Sequence, residues 1–386
     1  MSRIAYRQFP WQKLDFSTYL IRFYKIFSNY NINQIIYLTT GLTTKEILRI
    51  GMLLYSFYLK HPAITLPIDF GVPEFSKDRI DKFLVRFAAN LSDLKTKVES
   101  EQNINDQFLY CGVAVRYYPL IIMQYQGRQC LVCPLPTLFF WRITSGLFYE
   151  IFEHKEFGTH FGKAFENYIG NVFEKVLTNS SLRSIKEAKY KVGKDEKDTT
   201  DWILCDSSAG IFIECKTKKM RNASKTRIND IGIVSEDHNI LANAIVQCYR
   251  TIADYNENLY PNLVYDPKLT IYPLILTVED WYIFNPQYEN LLRQKILEGL
   301  RKKKLPENFI SLMPYSFCPV DEFEIMIQVI AKVGIKNFFE PKVRDQEKNG
   351  YAFSTYYYER FPEESKMATS NIFDDEYKTL FGIPNI

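Results

Sequence analysis

The chain has 386 residues, enough for two or three domains that each bury a core of their own. With 46% hydrophobic and 24% charged residues it has the balance of a globular protein, not of a disordered or fibrous one. Its formal net charge is +3, from 48 basic and 45 acidic residues, which excludes a nucleic-acid footprint spread over the whole surface and leaves any such face to local clustering.

Seven cysteines in so long a chain make no disulfide framework; with no apolar leader at Met1–Trp11 they are expected as reduced thiols in the cytoplasm. The longest apolar stretch, Ile47–Leu59, is interrupted by Arg49 and too short to cross a bilayer, so no membrane is expected as a partner.

Residues 1–150 read as a mainly helical accessory domain with one β-hairpin. Leu14–Asn29 and Leu42–Lys60 carry helical periodicity, and the second opens on Thr43-Thr44-x-Glu46, a capping sequence. Pro62, Pro67 and Pro73 mark a connector, and Ser76–Val98 reads as a third amphipathic helix. Pro119–Tyr125 and Cys130–Cys133 flank Gln126-Gly127-Arg128-Gln129, the pattern of a hairpin. Pro136–Phe152 continues as an aromatic helix. Cys130-x-x-Cys133 lacks a second pair at zinc-site spacing and lies in an apolar strand, so both are expected as structural thiols. His154 and His160 show no ligand pattern.

Residues 151–340 carry the chemistry. Phe157–Leu177 is expected as a helix with Phe161, Phe165, Tyr168, Ile169, Val172, Phe173 and Val176 on one stripe. Glu166 falls at the edge of that stripe, and a carboxylate facing a core needs a partner. Ser184–Lys191 reads as a strand or an irregular lead-in, and Gly193–Thr200 as a charged loop. From Asp201 to Lys216 two short apolar runs, Ile203-Leu204 and Ile211–Ile213, enclose turn residues, which is the signature of a hairpin. A turn centred on Ser208 and Ala209 sets Asp201 opposite Lys216 and Ile203 opposite Glu214. Strand alternation then puts Asp201, Glu214 and Lys216 on one face. Two such carboxylates repel unless a cation lies between them, and Mg²⁺ takes carboxylate oxygens, a backbone carbonyl and waters. A lysine beside them can orient a water or steady charge on a phosphate. Asp198 could replace Asp201 if the strand begins earlier; Asp206 reads as a turn residue.

The basic run Lys218, Lys219, Arg221, Lys225 and Arg227 follows at once, where phosphates of a bound strand would pass. Ile240–Tyr255 reads as a helix that carries Gln247, Leu269–Val278 as the strongest strand, and Tyr288–Leu300 and Val320–Val333 as further helices. Residues 341–386 form an aromatic, polar C-terminal extension.

An Asp at the head of one strand and Glu-x-Lys on the next, here Asp201…Glu214-Cys215-Lys216 within an α-β-β-β-α-β order, resembles the PD-(D/E)xK nuclease superfamily. Thr200 stands where the Pro of the family's name would be. The resemblance spans Phe157 to about Val333. It implies an α/β, restriction-endonuclease-like core, a mixed sheet flanked by helices. It further implies an endonuclease that hydrolyses phosphodiester bonds of nucleic acid, DNA rather than RNA, with Mg²⁺ as cofactor and Mn²⁺ as substitute. By the resemblance Asp201, Glu214 and the Cys215 carbonyl hold the metal, Glu166 completes the site, and Lys216 positions the attacking water. Gln247 answers to the glutamine of the family's downstream helix, although Thr251 stands where that motif has tyrosine. Restriction or anti-phage defence is a setting the family suggests. Two other readings stay open: a module that binds nucleic acid without cutting it, and a subunit active only with a protein partner or a second copy of itself.

Overall fold

The computed structural model describes residues 15–102, 113–219, 231–281 and 286–383. They divide into two compact units, one of residues 165–372 and one of residues 15–164 together with 373–383.

The unit containing the N-terminal helices opens with α1 (Phe16–Phe27), α2 (Tyr30–Thr40) and α3 (Thr44–Tyr58). Thr43 and Glu46 close the capping box at the head of α3, as the sequence predicts. β1 (Ala63–Thr65) follows, then α4 (Lys77–Phe87), β2 (Ala88–Asn90) and α5 (Leu91–Glu101). The single helix expected over Ser76–Val98 is therefore broken in the middle: Ala88 is extended at φ −122°, ψ 151°, and β2 pairs in parallel with the next strand. That pairing is a long-range event that local periodicity does not register.

After α6 (Val113–Tyr117), β3 (Leu120–Tyr125) and β4 (Arg128–Val132) form the expected hairpin. Its two-residue turn needs positive φ at both positions, and Gln126 (50°) and Gly127 (73°) supply it. The four strands lie in the order β1-β4-β3-β2. The helix expected from Pro136 to Phe152 is split into α7 (Pro136–Ile143) and α8 (Phe148–Ile151). Gly146 sits between them, where a Cβ would lie 2.9 Å from the Trp141 carbonyl oxygen, and its own carbonyl accepts from the buried Arg142. Cys130 and Cys133 are buried free thiols, and burial pushes the Cys133 thiol up to about 12.

α9 (Phe157–Val176) runs across the division, and its residues from Phe165 onward belong to the second unit. There follow β5 (Arg183–Lys186), β6 (Lys189–Val192), β7 (Asp195–Asp198), β8 (Trp202–Cys205), β9 (Ala209–Lys216), α10 (Ile231–Asn256) and β10 (Thr270–Thr277). α11 (Pro286–Lys302), α12 (Phe309–Leu312), β11 (Ser316–Pro319) and α13 (Val320–Val333) complete the sheet layer. The five-stranded sheet has the order β11-β10-β9-β8-β5. β9, β10 and β11 are parallel, while β8 is antiparallel to β9 and β5 to β8. The sheet is thus mixed, and its elements follow the order α9-β5-β8-β9-α10-β10 with the hairpin β6–β7 inserted. That hairpin replaces the charged loop expected over Gly193–Thr200. Lys189 pairs opposite Asp198 and Lys191 opposite Glu196, and Gly193 at φ 63° turns the chain.

Helices cover both faces of the sheet. On one, Leu241, Ile245, Cys248 and Ile252 of α10 pack with Ile203, Phe212 and Ile275. On the other, the Phe173 ring of α9 meets Trp202 at 5.3 Å and Phe323 of α13 at 5.9 Å. β10, near the centre of the sheet and covered on both sides, is continuously apolar for that reason, with Leu274, Ile275 and Leu276 fully buried. The chain then continues through α14 (Ile335–Arg344), α15 (Gln346–Asn349), α16 (Phe353–Arg360) and α17 (Pro362–Lys366) within this unit. The last helix, α18 (Asp374–Phe381), belongs to the other unit, where Lys25 of α1 lies 4.4 Å from the Phe373 ring centre. Among the described residues no helix is long and apolar enough to cross a membrane.

Candidate active site

One end of the five-stranded sheet gathers the polar residues. β9 finishes there with Glu214, Cys215 and Lys216, β8 starts there just after Asp201, and β5 finishes there just before Glu187. The carboxyl ends of parallel strands are where open α/β sheets collect ligands.

The hairpin register differs by two residues from the expected one. Trp202 pairs with Ile213 and Cys205 with Gly210, so Asp201 stands opposite Glu214 and not opposite Lys216. The turn is earlier because Asp206 closes it: its carboxylate accepts from the N–H groups of Ser208 (2.7 Å) and Ala209 (2.9 Å). A slip of two preserves the face of every side chain. Asp201, Glu214 and Lys216 therefore still share a face, the one toward α10. Asp198 lies exposed on β7 opposite Lys189, outside this group.

Each residue is held by its own element. Asp201 Oδ2 accepts from the Cys215 N–H at 2.6 Å. Lys216 passes its carbonyl to the Val278 N–H, on the β10 side. One residue earlier, backbone groups point the other way, so the Cys215 carbonyl turns toward β8 and Asp201. Glu214 has no exposed surface. Its Oε2 accepts from Lys216 Nζ at 3.2 Å, while its Oε1 is buried with no hydrogen-bond partner among the described residues. Glu166 comes from α9, whose position against β8 is set by Trp202. The indole N–H donates to the Glu166 carbonyl at 3.1 Å, and the ring lies against Gly170, one turn further on.

One carboxylate oxygen each from Glu166, Glu187 and Asp201 lie within 4.8 Å of one another. Glu187 is absent from the sequence-derived set. It arrives through β5: Lys186 pairs with Trp202, and the Glu187 N–H donates to the Asp201 carbonyl at 2.9 Å. No local signal marks it, because only the pairing of β5 with β8 brings it beside Asp201.

The electrostatics follow from burial. Burial pushes the Asp201 carboxyl up to about 6, and nearby Glu166 and Glu187 add to that, against Lys216 and the Cys215 N–H. Glu214 is pushed up to about 8, again first by burial, with Asp201 and Glu187 adding and Lys216 opposing. Burial presses the Lys216 ammonium down, but Glu214 and Asp201 outweigh it and hold the group above its ordinary value. The site is thus a cluster of hard oxygen donors around one lysine.

Other expected residues lie elsewhere. Gln247 is exposed on α10, while its neighbour Cys248 turns inward and lies 3.6 Å from the Phe212 carbonyl. Lys218 is exposed just beyond Lys216, and Lys219 pairs with Glu279 at 3.8 Å. Arg221, Lys225 and Arg227 lie outside the described residues.

No family model matches the chain, and no curated protein matches it. Among solved structures, the small subunit of the heterodimeric restriction endonuclease R.BspD6I is similar over 53% of this chain and 89% of that one, at 12% identity and a TM-score of 0.25. Strand order and register, not this likeness, define the sheet.

Proposed function

We propose that the chain is a divalent-metal-dependent nuclease of the restriction-endonuclease-like type, acting on DNA. One observation carries the reading. A fully buried glutamate, Glu214, keeps one oxygen with no hydrogen-bond partner among the described residues, near Asp201 and Glu187, with Lys216 on its other oxygen. A buried carboxylate oxygen without a donor is costly, and a hard cation resolves that cost. The donor set fits Mg²⁺ or Mn²⁺: Asp201, Glu214, the Cys215 carbonyl and Glu166 offer oxygen alone, whereas zinc sites favour sulfur and imidazole. When bound, such an ion supplies Lewis-acid stabilisation of a phosphate undergoing attack.

The protein's own groups do the rest. Lys216, held as an ammonium by Glu214, places a positive donor where the attacking water and the phosphate oxygens meet. Asp201 is oriented by the Cys215 N–H, which leaves its other oxygen directed at the site. Lys218, exposed two residues on, meets the phosphate backbone.

Circular plasmid, single-stranded DNA and structured RNA, each incubated with Mg²⁺, Mn²⁺ or EDTA, test the proposal. Metal-dependent cutting of DNA is expected, lowered about 10²-fold or more by Lys216→Ala and by Glu214→Ala. Cutting that survives both substitutions sinks the assignment of this site. Salt-sensitive binding of DNA with no cutting by the native protein favours a non-cleaving module or a subunit that awaits a partner.

A further inference from the structure

We infer that Glu187 is a metal ligand of this site, contributed by the edge strand β5 alongside Glu166 and Asp201; the inference rests on the metal-dependent reading above.

Three observations bear on it. First, its carboxylate lies in the group of three whose oxygens come within 4.8 Å of one another, and Glu214 is not in that group. The close cluster is thus formed by α9, β5 and β8 together, not by the hairpin alone. Second, its position is set by the backbone. The Lys186–Trp202 pair and the N–H bond from Glu187 to the Asp201 carbonyl (2.9 Å) hold it at the sheet end, so it is no wandering surface glutamate. Third, an independent sign of a ligand lies at the same place. Glu214, in register opposite Asp201 and fully buried, has an oxygen that no donor among the described residues meets. A hard cation answers both features, since it takes several carboxylates at once and has room for six or more oxygens. Glu187 follows the edge strand β5, so it is the ligand on the outer side of the site. A carboxylate in that position raises affinity through its charge and can be exchanged without unmaking the core.

The test is Mn²⁺ binding to the full chain, followed by electron paramagnetic resonance of the free ion, for the native protein and for Glu187→Gln, Glu187→Asp, Asp201→Asn and Glu196→Gln. Circular dichroism and Tm in EDTA report the fold of each. Expected are loss of binding in Asp201→Asn, affinity lower by about tenfold or more in Glu187→Gln, and partial recovery in Glu187→Asp, which keeps the charge. Glu196→Gln, on β7 and exposed, should bind like the native protein. Native affinity in Glu187→Gln with binding lost in Asp201→Asn overturns the role of Glu187 and leaves the site reading intact. A native protein that takes up no Mn²⁺ overturns both. If Glu187→Gln alone loses its fold, Glu187→Asp decides: weakened binding on an intact fold supports the ligand role, and native affinity overturns it.

Discussion

Glu214 shows what the site asks of a single side chain. It is fully buried, it shares one oxygen with Lys216, and its proton affinity is raised to about 8 against an ordinary 4.5. Without metal, the folded protein therefore holds a proton that the unfolded chain has released, over the interval between those two values. Stability must then fall as pH rises through that interval, since the folded state binds more protons there. In EDTA, the Tm of the native protein is expected to drop between about pH 5 and about pH 8, and Glu214→Gln to flatten the profile. A saturating divalent ion should lift the high-pH end for the native protein only. A native profile that matches Glu214→Gln at every pH refutes this account. Metal affinity should itself climb over the same interval, because ligands give up protons on binding.

At the scale of elements, the alignment of α9 on β8 decides whether Glu166 can take part. Gly170 is the contact point: a Cβ there would lie 2.8 Å from Trp202 Cζ2, a ring atom with little freedom to yield. Gly170→Ala is expected to cost about 1–3 kcal/mol and to lower metal-dependent cleavage by more than the loss of folded protein explains. Urea unfolding, read with cleavage per folded molecule, separates the two effects. Asp206 acts on another connection. Its carboxylate closes the β8–β9 turn and also accepts from the Ile335 N–H at 3.0 Å, tying the head of α14 to the hairpin. Burial pushes its carboxyl up, but these donors outweigh that and hold it below the usual range. Asp206→Ala should cost about 1–3 kcal/mol in urea and leave cleavage per folded molecule unchanged.

At the scale of the molecule, each unit uses a buried cation to fix loops. Arg142 donates to the carbonyls of Tyr117 (3.0 Å) and Gly146 (3.1 Å) and pairs with Glu150. Lys342 donates to the carbonyls of Lys348 (2.8 Å), Asn349 (3.1 Å) and Tyr351 (2.7 Å) and lies near the Phe353 ring. Both side chains are 1% exposed, so truncating either strands polar groups away from water. Arg142→Ala is expected to lower stability by about 3–5 kcal/mol, because Glu150 is left behind, yet Mn²⁺ affinity at 25 °C should be native. A parallel fall in affinity speaks against assigning Arg142 a purely structural part.

Much of the second unit is legible in the chain itself. The α9 stripe, the apolar run of β10, the boundaries of α13 and the face shared by Asp201, Glu214 and Lys216 all follow from periods of 3.6 and 2, which are local properties. The observed turn register lies two residues from the expected one because the Asp206 carboxylate supplies the acceptors that close the turn. The side-chain face survived because a slip of two keeps it. Other features lie beyond local reading. β2 interrupts a helical pattern because β3 offers it backbone partners, β7 forms from a charged stretch because β6 pairs with it, and Gln247 turns outward because Cys248 takes the inward position on α10. Glu187 belongs to the same class. Nothing in its neighbours marks it, and only the pairing of β5 with β8 carries it to Asp201. What the sequence determined by itself is which side chains share a face within one element. Which elements meet, and so which carboxylates converge, was decided by strand pairing and by a tryptophan packed on a glycine, contacts between residues far apart in the chain.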